Sequence, residues 1–134
     1  VGHFDSLKES IPKLQNAGIK VSLFIDPETD QIQAASDLGA EMIELHTGKF
    51  ALTTGNEHLA ELERLKVGAD FGNQIGIQVN AGHGIHLENL KGIFSVKNLI
   101  ELNIGHTLIS RSIFIGLRSA VAEMRSAMNH YQTS

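Results

Sequence analysis

Cysteine is missing from the 134 residues, and proline occurs only twice. Without cysteine the chain can form no disulfide and no thiolate metal site. It fits a reducing compartment, with the cytoplasm as the expected location. Clusters of basic residues are also missing. Eleven Lys and Arg against fifteen Asp and Glu leave a net charge of −4, so no nucleic-acid partner is expected. No apolar run approaches the ~18 residues that span a bilayer, and no membrane partner is expected either. Low-complexity segments and linkers are absent. What remains is an ordinary globular composition, 42% hydrophobic and 19% charged, with room for one domain.

Four short β-branched or apolar runs stand out: IKVSLFID at 19–26, EMIELHTG at 41–48, IGIQVNAG at 75–82 and LIELNIGH at 99–106. Segments with helical spacing lie around them. DSLKESIPKLQNAG closes on Gly18, and DPETDQIQAASDLGA puts Asp26 at an N-cap with Pro27 at the first helical position. A third helix is expected over 56–71 and a short fourth over 86–94. The last, RSIFIGLRSAVAEMRSAMNH, repeats Ile113, Leu117, Ala120, Val121, Met124 and Met128 at helical intervals. The expected order is α-β-α-β-α-β-α-β-α. Connections of this length are too long for hairpins and imply a parallel sheet.

The strands alternate, and the alternation selects the architecture. Ile19, Val21, Leu23 and Ile25, then Ile43 and Leu45, Ile77 and Val79, and Ile100, Leu102 and Ile104 form one greasy face. Between them sit Ser22 and Asp26, Glu44 and His46, Gln78 and Asn80, and Glu101 and Asn103. Strands of an open doubly wound sheet are covered on both faces and run apolar throughout. Burying these polar groups without partners would cost about 1–3 kcal/mol each, so the polar face is expected to line a lumen. That is the interior of a (β/α)8 TIM barrel near its active end. Four strands make half of one.

In such a barrel the C-terminal strand ends form the catalytic rim. The rim here would carry Asp26; Glu44, His46 and Thr47; Asn80, Gly82, His83 and Gly84; and Asn103, Gly105 and His106. Imidazoles suit proton transfer near neutral pH, and Glu44 could relay a proton or stabilise a developing cation. Gly84 and Gly105 would let backbone N–H groups approach an anion, and strand, Gly-His, then helix at 105–112 matches a phosphate site. Blander roles remain open: a hydrogen-bonded structural histidine at position 46, an ion pair for Glu44, tight-turn glycines, an N-cap for Asp26. A zinc site is a further alternative, although the histidines lie on three strands without paired-ligand spacing.

At VSLFID, IELHTG, VNAGHG and ELNIGH the chain resembles the pyridoxine 5′-phosphate synthase family, and the likeness runs on through RSIFIGLRSAVAEM. The pairing of VNAGHG with ELNIGH about twenty residues later is specific. The resemblance implies a TIM barrel of which residues 1–134 are the C-terminal half, strands five to eight. It implies condensation of 1-deoxy-D-xylulose 5-phosphate with 3-amino-1-hydroxyacetone 1-phosphate to pyridoxine 5′-phosphate and phosphate, with no cofactor and no metal. By the same resemblance His83 is the proton donor and Glu44 a transition-state stabiliser. Gly84, Gly105 and His106 hold the aminoketone phosphate. The family's general bases match nothing here, so the chain alone is expected to be inactive and to need an N-terminal half-barrel. Open strand edges favour association, and a homo-oligomer is expected. A non-catalytic phosphate-binding half-barrel and a metal-dependent barrel hydrolase are the competing expectations.

Overall fold

A computed structural model describes residues 4–132, the side chains of 130–132 apart. Its elements are α1 (Phe4–Asn16), β1 (Ser22–Ile25), α2 (Thr29–Asp37), β2 (Met42–His46), α3 (Gly48–Leu52), α4 (Gly55–Gln74), β3 (Gln78–Gly82), α5 (Leu90–Ile93), β4 (Leu102–Asn103), α6 (His106–Ile115) and α7 (Leu117–Gln132). The strands form one parallel sheet in the order β1-β2-β3-β4. The expected class, α/β with a parallel four-stranded sheet, is what forms.

Register fixes the two faces. Phe24 pairs with Glu44 and Glu44 with Asn80, while Ile43 pairs with Val79 and Leu45 with Ala81. Ile43, Leu45 and Val79 are wholly buried, packed with Ile32 and Ala35 of α2, Leu65 and Ala69 of α4, and Met124 of α7. At roughly 1.5–3 kcal/mol per buried aliphatic side chain, this face supplies the driving force for folding. The opposite face carries Ser22, Phe24, Glu44, His46, Gln78 and Asn80. Gln78 donates to the Oδ1 of the buried Asn80 at 3.1 Å, and the Asn80 amide nitrogen turns to Met42 Sδ at 4.0 Å.

The edges are shorter than the sequence pattern suggests. The outer strands cover four and two residues, and Ile19 and Ile100, at the starts of the expected strands, are 51% and 65% exposed. Each outer strand has a single neighbour, so backbone pairing ends early. Asp26 is not an N-cap: α2 starts at Thr29 after Glu28, whose side chain caps nothing. Pro27 is buried instead against Gly68 of α4, where an added Cβ would lie 3.0 Å from the proline carbonyl. The terminal helix is two helices. Gly116 separates them at φ 80°, a conformation that L side chains resist, and Arg111 clamps Glu123 across the break at 3.0 and 3.2 Å. Of the apolar repeat, only Ala120 and Met124 are fully buried; Ile113 stands 78% exposed.

One carboxylate is buried among the helices. Glu61 of α4 receives Lys49 of α3 at 2.6 Å and also Arg64, which reaches on to Glu28 before α2. Burial pushes the Glu61 carboxyl up, but the Lys49 hydrogen bond and the Arg64 charge outweigh it and hold it below the ordinary value. Its contribution is therefore complete above the unfolded-chain value of about 4.3 and is lost as the pH falls through the lowered folded value. Glu61→Gln is expected to cost about 1–3 kcal/mol in urea unfolding at neutral pH. The deficit against the unaltered chain should shrink as the measurement is taken down through the acid range.

Candidate active site

Two strand ends and one helix start converge on a cavity of about 480 Å³ lined by Phe24, Glu44, His83, Gly84, Ile85, Asn103, Ile104, Gly105, His106 and Thr107. All five residues singled out for chemistry, Glu44, His83, Gly84, Gly105 and His106, share this one wall. Asp26 and His46 do not.

Glu44 points from the middle of β2 into the polar face, where Asn103 donates to its Oε2 at 2.7 Å. Room for it comes from Gly82 of β3: a Cβ there would overlap the Glu44 carboxylate. A carboxylate held in this way presents a fixed negative charge to the cavity, suited to a cation that develops during reaction. Phe24 stands beside it on the neighbouring strand, 55% exposed.

His83 sits one residue beyond β3 at φ 82°, with Gly84 following at φ 72°. A histidine in the left-handed region is uncommon, and it sets the ring out on the rim, exposed. Behind it lies His46, with ring centres 4.9 Å apart. Asp26 Oδ1 is 3.4 Å from His46 Nδ1, and the Phe24 ring meets His46 edge-on at 5.0 Å. Gly48 permits the crowding, since a Cβ would come within 2.6 Å of His46 and 2.9 Å of His83. Gly84 is required twice over. Its φ suits glycine, and a Cβ would approach Ala51 to 2.7 Å.

Gly105 is the N-cap of α6, a helix of ten residues that begins at His106, and Gly105, His106 and Thr107 all line the cavity. A Cβ on Gly105 would meet no atom within 4 Å, so the space before the helix is open. Unsatisfied N–H groups and the positive end of the helix dipole favour an anion there. Among the described residues, no three His, Asp or Glu side chains come together in a group that could hold a metal ion. Nor does any helix reach the length and apolarity needed to cross a membrane.

Sequence reasoning placed Thr47 on the rim without a role and missed Asn89. Thr47 is wholly buried at the end of β2, and Asn89 lies nine-tenths buried before α5. Both bind the backbone of the turn around His83, and only long-range contact gives them that role.

An α/β protein with a glycine-lined, anion-ready cleft at its strand ends is the class that these features define. The family model described as "Pyridoxal phosphate biosynthesis protein PdxJ" matches residues 1–130, and the chain belongs to that family. It is 52% identical over 130 residues to the pyridoxine 5′-phosphate synthase of Akkermansia muciniphila, covering 96% of this chain and 53% of that protein. It is 45% identical to the Thermodesulfovibrio yellowstonii protein of the same name (91% and 50% covered) and 47% identical to that of Legionella pneumophila (94% and 51%). The chain thus spans about half the length of the curated relatives it matches.

The two glycines are expected to act differently in mutagenesis. Gly82→Ala should push the Glu44 carboxylate, the flexible end of its side chain, off Asn103 and cost about 0.5–1.5 kcal/mol in urea unfolding, the scale of one hydrogen bond. Gly105→Ala, which meets open space, should stay within about 1 kcal/mol, the scale of a changed helix cap.

Proposed function

We propose that this chain is the C-terminal half, strands five to eight, of a (β/α)8 barrel. We further propose that the completed barrel acts as pyridoxine 5′-phosphate synthase, a ring-closing transferase. The observation that carries the reading is the convergence of Glu44, His83, Gly84, Gly105 and His106 on one cavity in a chain of this family. An eight-stranded closure would give β1 and β4 their second neighbours and enclose the polar face as a lumen.

In this reading the phosphate of 3-amino-1-hydroxyacetone 1-phosphate rests between the Gly84 backbone and the start of α6 at Gly105 and His106. Its amine condenses with the carbonyl of 1-deoxy-D-xylulose 5-phosphate, losing water to form an imine. Loss of phosphate and ring closure follow. Each dehydration needs a proton delivered to a departing hydroxyl, and His83 on the rim supplies one. Glu44, fixed by Asn103, stabilises the positive charge that develops on the condensing nitrogen. Protons must also be removed, and the general bases would come from the N-terminal half-barrel. No cofactor enters the scheme.

The purified chain with both substrates is expected to give no product. Co-expressed with the N-terminal half of the Akkermansia muciniphila relative, it is expected to turn over. In that assembly His83→Asn should lower kcat by a factor on the order of 10²–10⁴; near-normal turnover would refute the donor role. Phosphate binding without product in the completed barrel would leave a binding module rather than an enzyme.

A further inference from the structure

The turn after β3 is held from behind along its whole length. Gly82 O accepts from Thr47 N at 2.9 Å and from Thr47 Oγ1 at 2.7 Å. His83 O accepts from the same hydroxyl at 2.5 Å. Gly84 O accepts from Asn89 Nδ2 at 3.0 Å, while Asn89 Oδ1 takes the His86 N–H at 2.9 Å. Ile85 O accepts from Thr107 Oγ1 of α6 at 2.7 Å. Four consecutive carbonyls are therefore bound by side chains from three different elements of the chain.

This matters for the opposite side of each peptide. In a planar trans peptide the carbonyl and the following N–H point in opposite directions. Drawing carbonyls 82, 83 and 84 toward Thr47 and Asn89 turns the N–H groups of His83, Gly84 and Ile85 the other way. Those three residues line the cavity; the parallel pairing of Gly82 with Asn103 turns the His83 N–H toward β4, which leaves the Gly84 and Ile85 N–H groups as the donors on the unbound side of the turn. His83 and Gly84 are also the only consecutive described residues with positive φ. A side chain such as histidine stays in that region only where its surroundings over-determine it.

We infer that Thr47 and Asn89 are positioning residues, which shape this turn into a concave array of N–H donors for a phosphate monoester and hold the His83 ring at the rim. The inference rests on the phosphate reading of the site given above. Neither side chain touches the ligand. Thr47 acts through one hydroxyl shared between two carbonyls, and Asn89 acts through its amide, which ties the turn to the start of α5.

Inorganic phosphate titrated into the 15N-labelled chain reads the array directly. In the unaltered chain the Gly84 and Ile85 amide resonances are expected to move to saturation. Thr47→Val keeps the shape but loses the hydroxyl, and should weaken binding about tenfold, with Thr47→Ser restoring it to within about threefold. Asn89→Asp keeps the acceptor for His86 but loses the donor to Gly84, and should weaken binding similarly. It carries the test if Thr47→Val does not fold. Unchanged affinity and unchanged Gly84 shifts in both variants would overturn the inference alone. No response of any amide in the unaltered chain would overturn the phosphate reading and this inference together.

Discussion

Everything at the site depends on how closely β2 and β3 run together. Their five paired residues bring a side-chain-bearing strand end against a glycine-bearing one. Glu44 occupies the space that a Cβ on Gly82 would fill, and His46 and His83 share the space that a Cβ on Gly48 would fill. The same pairing lets the Thr47 hydroxyl reach the next strand's final carbonyls. Small residues alternate with functional ones here for a steric reason, because polar groups of this size cannot share one rim unless the backbone beside them is bare.

The buried face and the site are thus two products of one pleat. Ile43, Leu45 and Val79 bind the sheet to its helices, and the residues between them have no freedom to turn inward. Glu61 and its cationic partners work elsewhere, joining α3, α4 and the approach to α2. Folding strength and chemistry are therefore carried by different side chains on the same strands and helices.

The succession of strands and the two sheet faces were legible because a pleat is local: period two at 41–46 and 77–82 needs no tertiary knowledge. Helix boundaries were less so. The apolar repeat from Ile113 to Met128 ran through Gly116 without a break in spacing, and only the backbone shows that the chain turns there. Asp26 had every mark of an N-cap, yet Pro27 is drawn into packing with Gly68 and the helix starts later. Thr47 could be placed on the rim but given no role, and Asn89 could not be found at all. Thr47 grips partners 35 and 36 residues away, and a threonine after a strand has many ordinary uses.

The bond from Thr107 to Ile85 joins the first turn of α6 to the turn carrying His83 and Gly84. The turn and the helix start on either side of the described cleft are therefore joined by a side-chain bond. For the phosphate proposed to bind there, a turn already tied to a helix leaves less ordering entropy to be charged against binding.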